Sequence, residues 1–339
     1  MNKIWNIVVL GAGRIAAVHT ANMQRHPQMR VCGIYDVNHE RARNLAKVCS
    51  AIVIEDVEKI WNDPSIDAIC IASSTDTHAE FLCKAAESGK AIFCEKPVSL
   101  DLAECDRCAA IVEQNAAFCF IGFNRRFDPH FASLKTRLMN GEVGNIELLQ
   151  ICSRDPGAPP AEYIRSSGGL FKDMMIHDLD MARHLLPEEP ISIYASASCL
   201  TDPAIKELGD VDTAVVTLRT ASGIQCQISN SRRAVYGYDQ RIEVLGSTGM
   251  LRVENPRPLT VESWTEQGVS TEKPHWFFLE RYEEAYRHEL AFFVDCLNNG
   301  TVPYPSIQDG RQALVLAEAA AESLASGREV SVCRSLVEA

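Results

Sequence analysis

Through the first third of the chain, short apolar runs alternate with stretches of helical period. Ile4–Leu10 is a largely apolar, β-branched run, and Ala16–Arg25 after it reads as a helix. The strands Met29–Tyr35, Ile52–Ile54, Ala68–Ala72, Ala91–Cys94 and Ala117–Ile121 follow in turn. Between them lie the helices Glu40–Cys49, a short one ending at Trp61, Thr77–Ser88 (with Gly89 as its C-cap) and Leu102–Gln114. Regular strand–helix alternation predicts a Rossmann-type, doubly wound parallel sheet. After Gly122 the pattern changes. A helix, Pro129–Asn140, is ended by Gly141 and Gly144, and a strand, Ile146–Ser153, runs into the proline-rich loop 154–160. A helix from Gly168 to Leu186 comes next. The strands Ile191–Leu200, Asp212–Arg219, Ile224–Asn230, Gln240–Leu245, Met250–Val253 and Leu259–Ser263 then follow without helices between them. That predicts an α+β domain with a large open, mostly antiparallel sheet. Helices Leu279–Asn298 and Ile307–Ser326 close the chain, the last placed to pack back on the first domain. The expected division is therefore 1–122 and 123–339, and the free sheet face is the expected oligomer surface.

Composition narrows the setting. A chain of 339 residues fits two cores, since single cores split beyond roughly 250–300 residues. Acidic residues outnumber basic ones, 45 to 33, for a net charge of −12, which argues against nucleic acid or an anionic membrane as partner. No apolar run is long enough to span a bilayer, and glycines interrupt the N-terminal run, so a cytoplasmic location is expected. The 13 cysteines are an odd number scattered through the apolar pattern, among them Cys32, Cys70, Cys94, Cys119 and Cys226 on expected strands. They read as buried thiols in a reducing compartment. The Cys105–Cys108 pair falls mid-helix with no second pair nearby, so no metal or redox centre is assigned to it.

The chemistry gathers at strand ends. Gly11-Ala12-Gly13-Arg14-Ile15-Ala16 is a dinucleotide-binding fingerprint with alanine in the third place. Gly11 permits the tight turn, Gly13 lets backbone amides reach a pyrophosphate, and the helix start favours its charge. The next strand ends at Asp36, placed to bond both ribose hydroxyls and to repel a 2′-phosphate, which points to NAD rather than NADP. Ligands of such sheets lie at the carboxyl ends of the strands. The loops 11–16, 36–38, 73–78 and 95–97 therefore share one rim, with Ser73, Ser74, Thr75, His78, Glu95 and Lys96 on it. Lys96, held before Pro97, is either a surface lysine or a functional one raised by that position. Arg125 and Arg126 form a basic patch where the domains meet, fit for cofactor phosphate, a polyhydroxylated substrate or structural ion pairs.

Gly168–Asp180, GGLFKDMMIHDLD, sets Asp173, His177 and Asp180 on one stripe of a helix whose other residues are apolar. The stripe is either a helix start with satisfied polar groups or an acid–base set. A metal site is disfavoured, because one helix seldom supplies a whole tetrahedral set and Lys96 would oppose a cation. The two glycines read as room for close approach of substrate and backbone.

The glycine loop, Cys94-Glu95-Lys96-Pro97, Gly122-Phe123 with Arg125-Arg126-Phe127-Asp128, Ser153-Arg154-Asp155-Pro156, Gly168–Asp180 and Tyr236-Gly237-Tyr238-Asp239 occur together. In this combination the chain resembles the glucose–fructose oxidoreductase/inositol dehydrogenase (Gfo/Idh/MocA) family, its inositol 2-dehydrogenase branch most. The resemblance implies NAD-dependent oxidation of a secondary alcohol of a cyclitol, myo-inositol going to its 2-keto product. It implies Lys96, Asp173 and His177 as the catalytic set, and Arg126, Asp155 and Tyr236 as substrate contacts. It also implies a homotetramer formed through the C-terminal sheet. Residue chemistry agrees: His177 suits a base near neutrality, Asp173 can orient it, and Lys96 can hydrogen-bond the reacting oxygen. Asp180 reads as a support. Other readings on the same fold are a dehydrogenase of scyllo-inositol, glucose or another sugar, a non-catalytic NAD-sensing regulator, and an NAD-dependent glycosidase.

Overall fold

The computed structural model describes residues 3–332. In chain order the first elements are β1 (Trp5–Leu10), α1 (Arg14–Arg25), β2 (Met29–Tyr35), α2 (His39–Cys49), β3 (Ile52–Val53), α3 (Glu58–Trp61), β4 (Ala68–Ile71), α4 (Thr75–Glu87), β5 (Ala91–Glu95), α5 (Leu102–Gln114) and β6 (Cys119–Gly122). Then come α6 (Pro129–Met139), β7 (Ile146–Arg154), α7 (Ala161–Ser167), a π-helical turn Leu170–Met175, α8 (Ile176–Leu185), β8 (Pro190–Ser198), α9 (Pro203–Glu207), β9 (Thr213–Thr220) and β10 (Gln225–Ser231). The last are β11 (Asp239–Gly246), β12 (Gly249–Val253), β13 (Glu262–Thr265), β14 (Gly268–Thr271), α10 (Phe278–Arg281), α11 (Glu283–Asn299), α12 (Ile307–Ser326) and β15 (Val330–Ser331). No described helix is long and apolar enough to cross a membrane.

Two compact units result. One is Met1–Phe127 with Glu284–Leu314, the other Asp128–Glu283 with Val315–Ala339. The sequence marks a hand-over after Gly122 and a return only with the last helix, whereas the chain returns to the first unit already at Glu284. The reason is apolar: Leu290, Phe293 and Val294 of α11 sit in the core of the first unit. There Phe293 meets Phe93 and Phe120 edge-on, with ring centroids 5.6 and 5.9 Å apart.

The first unit carries a six-stranded sheet in the order β3-β2-β1-β4-β5-β6, all pairs parallel. This order reverses direction between β1 and β4, so a crevice opens at the carboxyl ends there. Local sequence supports two of the helix starts in this unit. Asn38 caps α2 by accepting from the Glu40 and Arg41 amides, and Asp101 caps α5 by accepting from Ala103 and Glu104.

The second unit is built on a seven-stranded sheet, β12-β11-β7-β10-β9-β8-β15. It is antiparallel except where β7 and β10 run parallel, because β7 enters between β11 and β10, strands far later in the chain. Three expectations are corrected here. Leu259–Ser263 is not a strand of this sheet; an exposed hairpin, β13–β14, forms instead, since Pro256 and Pro258 precede it and nothing buries its side chains. Residues 161–167, which carry no clear period, form α7. The single helix expected from Gly168 is a π-helical turn followed by α8, entered through two glycines with φ of +83° and +77°.

Asp212 anchors the excursion between β8 and β9. Its buried carboxylate accepts from the amides of Leu200 (2.8 Å), Thr201 (2.7 Å) and Asp202 (3.2 Å) and from the hydroxyls of Thr201 (2.8 Å) and Thr213 (2.9 Å). Burial works to raise its pKa, but these donors outweigh it and hold the carboxyl well below the usual range. A depressed carboxyl contributes stability that is complete above the unfolded pKa and is lost as pH falls toward the folded one. Asp212→Asn is therefore expected to cost about 2 kcal/mol or more at pH 7. In thermal melts the gap to wild type should persist at neutral pH and narrow only below about pH 4.

Candidate active site

In the first unit the ends of β1, β2, β4 and β5 carry Gly11, Asp36, Ser73 and Lys96, whereas Glu95, expected on the same rim, points into the core. Gly11 has φ +102°, and a Cβ there would lie 2.5 Å from the Ala72 carbonyl oxygen, so only glycine fits between β1 and β4. Gly13 is different: nothing lies within 4 Å of where its Cβ would be. It precedes α1, whose first turn has no side-chain cap, and Arg14 and Ile15 open that turn. A helix start beside open space suits an anion. Asp36, just past β2, accepts from the Ala12 amide through Oδ2 and from the Asn38 amide through Oδ1, both at 2.7 Å. Its carboxylate is thus fixed by the glycine loop, and each oxygen keeps acceptor capacity for a hydroxyl.

The next two loops are tied together by His78. It is buried, with Nδ1 2.8 Å from the Pro97 carbonyl and Nε2 3.2 Å from that of Ser73. Burial lowers its pKa, while those two carbonyls pull the other way. Ser73 and Thr77 share a hydroxyl bond of 2.6 Å, and α4 begins at Thr75, two residues before the sequence suggests, so Ser74 and Thr75 stand at its open end. The Lys96–Pro97 peptide is cis. Lys96 is half-buried at the end of β5, whereas Glu95 turns inward to His19, Nε2 to Oε1 2.6 Å. Arg125 and Arg126 are both buried; Arg126 pairs with Asp309 at 2.9 Å and lies over the Tyr304 ring at 4.6 Å.

In the second unit the expected stripe divides. Asp180 is 1 % exposed and turns into the core, whereas Asp173 and His177 are half-buried. The wider π-helical turn takes Asp173 out of α-helical phase with α8, a device common at functional positions. Asp173 is held from two sides. The Tyr163 hydroxyl donates to Oδ1 at 2.9 Å, and the buried Arg232 guanidinium stands 3.7 Å from Oδ2. The same guanidinium nitrogen is 3.9 Å from Asp210, whose Oδ1 accepts from the Leu170 amide at 3.0 Å. A Cβ at Gly169 would lie 2.6 Å from that oxygen, so the room at this glycine is taken by Asp210 rather than left for a ligand. His177 opens α8, which is anchored by buried Asp178, accepting from Ser153 of β7 and Asn230 of β10.

Asp155 and Tyr236 belong to the loops next to the Arg232 segment. The Asp155 amide donates to Ser231 O and its carbonyl accepts from Ala234, so its loop is sewn to the segment that carries Arg232. The Tyr236 hydroxyl donates to Asp239 at 2.6 Å and accepts from Arg154 at 3.1 Å. Burial pushes the Asp239 carboxyl up, but bonds from Arg241, Tyr236 and Asn255 bring it below its usual range. Tyr163, Asp210 and Arg232 have no sequence signal. One falls where no element was expected, and Arg232 looks like any basic residue after a strand.

Asp173 and Asp210 share one buried cation, so Arg232→Met leaves two carboxylates facing each other without it. It is expected to lose about 3–5 kcal/mol in urea unfolding at pH 7.

Comparison with known proteins meets this geometry along nearly the whole chain. Residues 5–123 match the GFO/IDH/MocA oxidoreductase family model with an NAD-binding Rossmann fold, and residues 131–252 match the GFO/IDH/MocA C-terminal domain. An inositol 2-dehydrogenase of Rhizobium meliloti is 45 % identical over 96 % of this chain and 98 % of its own. A myo-inositol 2-dehydrogenase of Thermotoga maritima is 44 % identical over the same shares, 96 % and 98 %. A scyllo-inositol dehydrogenase of Lactobacillus casei, solved with NAD(H) and scyllo-inositol bound, superposes with a TM-score of 0.91 at 27 % identity, covering 97 % of this chain and 99 % of that one.

Proposed function

Because the chain belongs to the Gfo/Idh/MocA oxidoreductase family, with its NAD-binding Rossmann fold, we propose that it oxidises a secondary hydroxyl of an inositol, myo-inositol at its 2-position first. The observation that carries this reading is the Asp173–His177 pair, with Asp173 fixed by Tyr163 and Arg232. The substrate class is supported by two inositol dehydrogenases 44–45 % identical to the chain from end to end.

NAD fits the first unit on this chain's own geometry: open space over Gly13, an uncapped α1 and the immobilised Asp36 carboxylate. When bound, its nicotinamide accepts the hydride. The protein's own part is positional and electrostatic. The His177 imidazole takes the hydroxyl proton, as a group titrating near neutrality can. Asp173 orients that ring and favours its protonated form once the proton has arrived. Lys96 donates a hydrogen bond through Nζ to the oxygen as negative charge grows on it. Asp155 and Tyr236, carried on loops joined to the Arg232 segment, contact the remaining hydroxyls, and the Arg125–Arg126 patch stiffens the chain behind Lys96.

Assembly and location complete the reading. The outer face of the large sheet exposes Tyr194, Val215 and Leu245 on three strands, which supports pairing of sheets into a homotetramer. Every described cysteine is a free thiol, which supports a reducing, cytoplasmic setting.

His177→Ala is expected to lower kcat/KM by about 10²–10⁴-fold, followed as NADH absorbance with myo-inositol. Unchanged turnover would sink the mechanism. Across a panel of inositol isomers and aldoses, myo-inositol should give the highest kcat/KM. Asp36→Ser should raise KM for NAD⁺ and narrow the preference over NADP⁺, because the 2′-phosphate no longer meets a carboxylate.

A further inference from the structure

Beneath Lys96 the first unit buries three titratable groups that the reaction does not use. Glu95 is the last residue of β5, His19 comes from α1 and Glu289 from α11. A ligating atom of each lies within 4.8 Å of the other two. Glu289 is 0 % exposed, and neither of its oxygens has a hydrogen-bond donor among the described residues. Its surroundings are apolar and aromatic: the His19 ring meets Phe93 at 4.9 Å and Tyr286 at 5.7 Å, both edge-on. Two adjacent carboxylates cannot both stay ionised in such a place; either a cation or a proton must stand between them. The spacing decides against a zinc-like metal ion. Donor atoms on one tetrahedral zinc ion sit about 3.3 Å apart, given bonds of about 2.0–2.1 Å, whereas His19 Nε2 and Glu95 Oε1 are 2.6 Å apart, a direct hydrogen bond.

We propose that Glu289 is a positioning residue for Lys96: it shares one proton with Glu95, and the Glu95 carboxyl, clamped between Glu289 and His19, fixes the end of β5 that carries the lysine. The inference rests on the reading of Lys96 as the group that meets the reacting oxygen. Burial, and then the charge of Glu95, drive the Glu289 pKa well above the usual carboxylate range. The titratable groups facing it are Glu95 on β5, His19 on α1 and the Cys70 thiol on β4, which the same two carboxylates push upward after burial itself. Gly122 of β6 closes the other side: a Cβ there would lie 3.3 Å from the Glu95 carboxyl, so the strand beside it leaves the clamp just enough space. A protonated acid is a neutral donor, and an amide can replace it.

The test is a trio of full-length variants. Glu289→Gln keeps a neutral donor, so it should hold kcat near wild type and, having no acid to ionise, melt no lower at pH 8. Glu289→Leu fills the space without a donor and should lower kcat about tenfold or more while leaving KM for NAD⁺ nearly unchanged, because misplacement of one group by a fraction of an ångström is felt in the chemical step. Glu95→Leu should not behave like Glu289→Gln, since His19 then loses its acceptor. Infrared spectra at pH 7 should show the carbonyl stretch of a protonated carboxylic acid in the wild type and not in Glu289→Gln, a readout independent of activity. Absence of that band, equal kcat for the Gln and Leu variants, or a stoichiometric divalent metal in the wild type that is lost in Glu289→Gln would overturn the proposal. If Lys96→Ala keeps full activity while the band is present, it is the role of Lys96 that fails and not the shared proton.

Discussion

The approach of Gly11 to the Ala72 carbonyl is the constraint on which the first unit depends. No side chain fits there, and the fit is only part of what it does. The Gly11 amide donates to Tyr35 O at 2.7 Å, and the next amide, that of Ala12, donates to Asp36. One turn of three residues therefore draws together the ends of β1, β2 and β4. The strand order reverses at this point, and the first turn of α1 starts here without a cap. A bulkier residue at 11 would not merely crowd a ligand. It would part β1 from β4 and release the Asp36 carboxylate that the Ala12 amide holds. Binding geometry and sheet geometry are the same contact.

The second unit solves a different problem, that of holding the Asp173 carboxylate in place without a close ion pair. Arg232 does this at a distance. At 3.7 and 3.9 Å from Asp173 and Asp210 it attracts both without closing a short bidentate pair with either. Asp173 takes a short bond from a neutral phenol, that of Tyr163. Asp212 belongs to the same chain of support, because it braces the excursion that delivers Asp210 and accepts Arg232 into place through its own carbonyl.

Much of this was legible in the residues. Met29–Tyr35, Leu102–Gln114 and Ile307–Ser326 have the bounds that apolar period and flanking caps suggest. The glycine loop and Asp36 stand where the fingerprint puts them, because the local turn is fully specified by local residues. What stayed hidden has a common cause. The parallel β7–β10 pair, the detached β13–β14 hairpin and the return of α11 to the first core are set by contacts between residues far apart in the chain. Periodicity says which face is apolar, not which partner will cover it. Arg232, Asp210 and Glu289 were hidden for the same reason: a buried charge is identified by its partners, and those lie tens to hundreds of residues away.

The region where local rules fail is instructive in itself. Between Gly168 and Met175 the backbone departs from helix twice, in the left-handed glycines and in the π-helical turn. Consistency across levels is the usual condition for folding, and departures concentrate where function requires them. Here the order of cause can be followed. Gly169 must be glycine because Asp210 occupies the space of its side chain. Asp210 must be there to cap the Leu170 amide and to share Arg232. The shared cation fixes Asp173, and the extra residue in the turn changes the angle between Asp173 and His177. Of two glycines that look like slack in the sequence, Gly169 is a point of close contact in the fold, and what it accommodates is the second carboxylate that keeps the first one in place.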